Sequence, residues 1–292
     1  MKPPPFDYRA PRTLEEALED LAEGGKVLAG GQSLIPLLNM RLAAPERLID
    51  INGVASLDAL EVTAAGVRAG ALARHAAVER SAEAAAVQPL LRQALRHVAH
   101  PVIRNRGTVV GSLAHADPAA ELPAVLALLD GHVEAASASG RRTVAAADFF
   151  TGPLESALRP EELATAAFFP ALPPRTGTAF AELARRHGDY ALVGAAALVT
   201  LDDDLRVRAA RAAYLGVADT PVVLDLTGPA VQGQEGRPPG AVDWSAAAAH
   251  AVARVNPGGD IHAGADYRRH LVGVLTGRAL AEAARNAPPG GT

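Results

Sequence analysis

Cysteine is absent from all 292 residues. That excludes disulfide staples, thiolate nucleophiles, cysteine-ligated zinc and iron–sulfur ligation by this chain. Any redox role must therefore use an organic cofactor or another polypeptide. There is also no large excess of either charge: 28 Lys and Arg stand against 32 Asp and Glu, a net charge of −4. This gives no general electrostatic pull toward nucleic acid or an anionic membrane, and neither is expected as a partner. Long hydrophobic runs are missing too. The longest weakly apolar stretch, 191–201, is about half of the ~20 residues that a membrane span needs. Met1-Lys2-Pro3-Pro4-Pro5-Phe6 has no apolar run after its lysine, so the chain reads as soluble and cytoplasmic. No repeat of 20–50 residues is visible, which excludes solenoids and propellers.

What is present is a globular composition, with 49% hydrophobic and 21% charged residues and a mean hydropathy of +0.10. At roughly 150 residues per domain the length predicts about two domains. Thr13-Leu14-Glu15-Glu16 forms a capping box, predicting a helix over 14–23 that stops at Gly24-Gly25. A short strand, 26–29, then runs into Gly30-Gly31-Gln32-Ser33 and a helical start from Leu34. Another strand follows at 47–51, and hairpins are predicted around Ala65-Gly66 and Ser139-Gly140. Helices are expected at 75–86 and 88–98. A second glycine turn, 107–112, is expected after a strand end. The helix after it is expected to be capped by Asp117, with Pro118 at N1 and a bend at Pro123. The Pro- and Gly-rich stretch 170–177 marks the domain boundary. Beyond it the pattern predicts strands at 178–186, 193–201 and 205–217 and helices at 243–255 and 265–286. The fold class is α+β.

Two segments carry chemistry. Ala29-Gly30-Gly31-Gln32-Ser33-Leu34 places residues that tolerate positive φ before outward-pointing amides and a hydroxyl. This arrangement suits an anion such as a pyrophosphate, and equally describes a plain strand-to-helix turn. It is neither G-x-G-x-x-G nor a Walker A loop. Gly107 to Asp117 repeats the design with Thr108, Gly111 and Ser112, so the two loops together point to one extended phosphate-containing ligand. Glu121 reads either as an acceptor for ribose hydroxyls or as a solvated helix carboxylate. Arg104 and Arg106 read as a phosphate or partner contact, or as a solvated pair. Ser33 and Ser112 lie outside any G-x-S-x-G, and His97, His100 and His115 lack metal-ligand spacing, so neither a serine hydrolase nor a metal site is expected.

The run from Ala29 to Leu38 with Arg41-Leu42, then Arg104 to Thr108 and Gly111 to Pro123, resembles the FAD-binding subunit of molybdenum hydroxylases. The likeness is to medium subunits of the aerobic carbon monoxide dehydrogenase type, related to the xanthine dehydrogenase flavin domain. It extends through Arg185-Arg186-His187-Gly188-Asp189-Tyr190 to Arg278-Ala279-Leu280. The resemblance implies a two-lobed FAD domain over 1–175, with lobes 1–52 and 53–175, and a smaller domain over 176–292 built on three antiparallel strands and helices. It further implies that Ala29, Gly30, Gly31, Gln32, Ser33 and Leu34 hold the FAD pyrophosphate and that Thr108, Gly111 and Ser112 surround the cofactor. Glu121 takes the ribose-side acidic position, and Tyr190 lies at the isoalloxazine. No catalytic acid, base, nucleophile or metal is implied in this chain. The implied partners are a 2Fe-2S small subunit and a molybdopterin large subunit, in a heterotrimer or its dimer. Two departures stand out: Val110 where the family has glycine, and Ala181 where relatives often carry lysine. Both point to an alternative reading, an assembly subunit with weak or no FAD binding.

Overall fold

The computed structural model describes residues 2–238 and 240–288. In the first lobe, β1 (Asp7–Arg9), α1 (Leu14–Ala22), β2 (Lys26–Leu28), α2 (Leu34–Asn39) and β3 (Arg47–Asp50) form a three-stranded sheet of order β1-β3-β2. Both pairings are parallel, as helical crossovers require. The capping box is complete: Thr13 Oγ1 accepts from the Glu16 amide at 3.1 Å, and Glu16 Oε2 accepts from the Thr13 amide at 3.3 Å. Ala17, Leu18 and Leu21 form the buried face of α1. β1 has too few residues to show a pattern, and sequence reading misses it.

The second lobe contains β4 (Leu60–Thr63), β5 (Gly66–Gly70), α3 (His75–Arg80), α4 (Ala82–Val87), α5 (Pro89–Leu95), α6 (Pro101–Arg104), α7 (Val109–His115) and α8 (Glu121–Leu128). It continues with β6 (His132–Ser137), β7 (Gly140–Ala145), α9 (Ala146–Phe149), β8 (Phe150–Gly152), β9 (Glu155–Ser156) and β10 (Leu163–Pro170). β4-β5-β10-β6-β7 make an antiparallel five-stranded sheet. Four expectations are corrected here. The helix expected over 75–86 breaks at Ser81, which is extended and caps α4 by accepting from the Ala84 amide. The second glycine turn follows α6, started by Pro101, instead of a strand. Asp117 is not the cap of α8, which begins at Glu121; its Oδ1 accepts from the Ala119 amide at 2.9 Å after Ala116 turns left-handed at φ 52°. Pro123 sits in the first turn of α8, where no helical N–H is needed, so nothing bends the helix there.

The C-terminal part holds β11 (Thr176–Ala184), β12 (Ala191–Leu201), β13 (Val207–Leu215), β14 (Val222–Asp225), α10 (Thr227–Gln232), α11 (Ser245–Arg254) and α12 (Ala265–Asn286). The three expected antiparallel strands are joined by a fourth, β14, paired to the free edge of β13. Phe180, Ala191, Ala196, Ala213 and Leu215 pack into the core of the first two lobes. Ala179, Val193, Ala195, Ala197 and Tyr214 turn the other way, toward α11 and α12. Burial on both faces explains why β12 is nearly all apolar and does not alternate. Among the described residues no helix is long and apolar enough to cross a membrane.

Val110 sits in α7, is 2% exposed and belongs to the main core. Its backbone is right-handed helical, outside both the glycine-only region and the extended geometry. No strain is stored there for a glycine to relieve. Val110→Gly should therefore lower unfolding stability by about 2–4 kcal/mol, from lost burial plus glycine in a helix, without tightening cofactor binding. Denaturant unfolding of the two proteins checks this, and equal stability would contradict it.

Candidate functional site

The two glycine loops meet. A Cβ on Gly30 would stand 2.4 Å from the Arg106 carbonyl oxygen and 2.9 Å from Gly107 Cα, so only glycine lets the backbones approach this closely. Gly31 follows with φ +73°. Arg74 ties the contact: its Nη1 donates to the Arg106 carbonyl at 2.6 Å and its Nη2 to Asn52 Oδ1 at 2.5 Å. Asn52 Nδ2 in turn donates to the Ala29 carbonyl at 2.8 Å. Sequence reading misses Asn52 and Arg74, because their roles depend on contacts 22 residues or more away.

Donors remain free around this contact. Among the described residues the amides of Gly31, Gln32, Ser33 and Leu34 have no protein acceptor, nor do those of Thr108 and Val110. The Ser33 hydroxyl makes no cap bond to α2. Gln32 Nε2 donates back to the Gly30 carbonyl at 3.2 Å. In the second loop Thr108 Oγ1 accepts from the Gly111 amide at 3.1 Å. A Cβ on Gly111 would stand 2.5 Å from that oxygen. Arg104 is not available to a ligand: it is buried, paired to Glu79 at 2.8 Å and bound to the carbonyls of Val98 and Ala99. Arg106 is exposed; the Asp50 carboxyl is held below the usual range, against its burial, by the Tyr8 hydroxyl and Asn52, with Arg106 adding a little.

Glu121 and Tyr190 form a second group, with no hydrogen bond to either loop. Glu121, the first residue of α8, is 9% exposed. Burial, with the nearby Glu182 carboxylate and Asp117, pushes its carboxyl up to about 8. Tyr190, just before β12, is 71% exposed, and its phenol is pushed up by partial burial and by Asp117 and Glu121. α7 and the turn over 116–120 connect this group to the second loop. Ala181 turns away, packing on the α11–α12 side of the sheet. The next residue, Glu182, points to the site side, where its Oε1 lies 3.4 Å from His97 Nδ1. A one-residue step along a strand reverses the face, so a side chain at 181 does not bear on this site. His97, His100 and His115 do not assemble a metal site among the described residues.

A profile of the FAD binding domain in molybdopterin dehydrogenase matches residues 4–172, and one of the CO dehydrogenase flavoprotein C-terminal domain matches 178–283. This chain belongs to the FAD-binding subunits of molybdenum hydroxylases. FAD is the cofactor of the family, and its members are oxidoreductase subunits. The chain is 41% identical over 300 residues to the 6-hydroxypseudooxynicotine dehydrogenase complex subunit alpha of Paenarthrobacter nicotinovorans, covering 99% of this chain and 98% of that one. It is 35% identical to the carbon monoxide dehydrogenase medium chain of Afipia carboxidovorans, over 97% of this chain and 98% of that one. A chain of quinoline 2-oxidoreductase from Pseudomonas putida 86 superposes with a TM-score of 0.89 at 37% identity, covering 98% and 99% of the two chains.

The flavoprotein subunit has the features FAD requires. A dinucleotide's phosphates need unpartnered amides and a backbone that a Cβ would obstruct, and the contacting loops supply both. Beneath the second loop lies His75, 5% exposed, with both ring nitrogens unpartnered and Nδ1 2.9 Å from where a Gly107 Cβ would be. Burial pushes this imidazole down to about 4. Unfolding raises its affinity for protons, so its contribution is fully present above the ordinary histidine value and is lost as pH falls toward 4. Between about pH 7 and about pH 5 it should cost the fold about 2 kcal/mol. Denaturant unfolding at the two pH values checks this. His75→Leu should flatten the acid limb, and an unchanged limb would contradict the assignment.

Proposed function

We propose that this subunit receives electrons from a 2Fe-2S cluster on a separate small subunit and passes them to an external acceptor, in a complex whose large subunit carries molybdopterin. The observation that carries the reading is the contact of the two loops at Gly30 and Arg106–Gly107, ringed by unpartnered amides. Bound FAD supplies chemistry that no side chain here has, because it accepts electrons singly and releases them in pairs. The chain's own residues bind and orient. The amides of Gly31 to Leu34, with the Ser33 hydroxyl, hold the pyrophosphate, Ala29 and Gly30 giving the backbone its path. Thr108, Gly111 and Ser112 close the second side. Glu121 meets the ribose hydroxyls and Tyr190 covers the ring system.

The absence of cysteine supports the division of labour, since the iron–sulfur ligands must come from another chain. The relatives support it too: one is a subunit of a dehydrogenase complex, and another is a medium chain. The cofactor domain spans 1–175, with lobes 1–52 and 53–175, and the C-terminal domain spans 176–292. Val110 and Ala181 give no support to an assembly-only subunit, because one packs in the core and the other faces away from the site.

The purified subunit should carry one non-covalent FAD that denaturation sets free, and it should co-purify with a cysteine-rich chain. Gly31→Val, which forces a β-branched residue to φ +73° within 3.1 Å of Ile35 Cγ1, should abolish binding in a folded protein. Flavin absorbance after gel filtration reads the result. Full FAD occupancy in a folded variant would remove the first loop from the cofactor site.

A further inference from the structure

β11 ends at Ala184 and β12 begins at Ala191, so residues 185–190 form the turn between them. The Asp189 amide closes it by donating to the Arg186 carbonyl at 3.1 Å, with Gly188 at φ +85°. This turn rests on another part of the molecule. A Cβ on Gly188 would lie 2.5 Å from His100 Cε1 and 2.8 Å from each ring nitrogen, so only a glycine backbone can sit against that imidazole. The His187 ring meets the same imidazole edge-on, with 6.0 Å between centroids. His100 itself stands on a rigid base in the second lobe. Ala99 before it is left-handed at φ 43°, and the buried Arg104 donates to the Val98 and Ala99 carbonyls at 2.9 and 3.2 Å. Pro101 after it opens α6, which runs on into Arg106 and Gly107 of the second glycine loop. One ring therefore joins the turn that ends in Tyr190 to the lobe that carries that loop.

We propose that His100 is a positioning residue for the flavin: clasped by Gly188 and His187, its ring sets the place at which Tyr190 covers the cofactor's ring system. The proposal rests on the reading that Tyr190 lies against FAD, and it names what holds that tyrosine there. Tyr190 is 71% exposed, so packing of its own ring does not fix it in the absence of cofactor. Stacking between aromatic systems depends on their offset and separation, so a displaced turn weakens it. A turn left to fluctuate would also have to be ordered each time FAD binds, and a clasp that orders it beforehand removes that cost. The contact joins a ring to a backbone. It requires glycine at 188 and a planar side chain at 100, and it makes no use of charge on the imidazole.

Trypsin reads the clasp without any cofactor, because Arg185 and Arg186 are exposed in the turn. In the folded full-length subunit without FAD, His100→Ala should speed cleavage after these arginines, identified by fragment mass, by about fivefold or more as the turn opens more often. Gly188→Ala, which forces the same contact apart from the other side, should do likewise. His100→Phe keeps a planar ring and should be cleaved as slowly as wild type. Flavin emission at saturating FAD then reads Tyr190. Tyr190→Ala should brighten it by removing the stacked phenol, and His100→Ala should brighten it in part. Adding His100→Ala to Tyr190→Ala should change the emission no further, since His100 acts only through the tyrosine. Wild-type cleavage in both His100→Ala and Gly188→Ala, or cleavage of His100→Phe as fast as that of His100→Ala, would overturn the clasp. Brightening by Tyr190→Ala without any by His100→Ala would overturn the positioning role. Wild-type emission in Tyr190→Ala would instead overturn the reading that Tyr190 covers the flavin.

Discussion

The arrangement depends on one close approach. Gly30 and the Arg106–Gly107 peptide occupy space that any side chain on Gly30 would need. This contact brings two separate strand- or helix-to-helix turns together. Its geometry is fixed from behind by a polar relay, from the Ala29 carbonyl through Asn52 and Arg74 to the Arg106 carbonyl. Two backbone bonds, His75 amide to Gly107 carbonyl and Val109 amide to Ala73 carbonyl, hold the second loop to the strand-like segment before α3. Small losses anywhere in this relay would separate loops that lie about 75 residues apart in the chain.

The C-terminal part contributes more than a cover. Its sheet is buried on both faces, and its turns reach back into the site lobe. Arg268 is 7% exposed and donates to the carbonyls of Leu192 and Gly216 and to Asp260 at 2.7–2.8 Å. That fixes Gly216, at φ +73°, whose amide donates to the Pro118 carbonyl at 2.9 Å. The turn carrying Asp117 and leading to Glu121 is thus set by an arginine some 150 residues downstream. A bidentate guanidinium in a buried place is suited to this, since it satisfies several strand-end carbonyls from one side chain.

Much of this was legible in the sequence where local chemistry decides. Thr13 and Glu16 announce their helix, Gly66 and Gly140 their hairpins, and the apolar spacing along α12 its full 22 residues. Misreadings came where tertiary contacts decide. Asp117 has the residue type of a helix cap, but it serves a turn pinned by Gly216. Val110 departs from a glycine motif, and it is an ordinary helical core residue. Ala181 drew attention one residue short of Glu182, which is the side chain that faces the site. Asn52 and Arg74 carry no local signature at all. The residues of the two loops were recognisable by type, but their contact was not, because a van der Waals approach between backbones leaves only a glycine as its trace.

The central claim is that both loops serve one ligand. Amide hydrogen exchange of the full-length subunit, with and without added FAD, tests it directly. The account predicts that the amides of Gly31 to Leu34 and those of Thr108 and Val110, which lack protein acceptors, gain protection together on adding FAD. Protection confined to one loop, or appearing away from both, would contradict it.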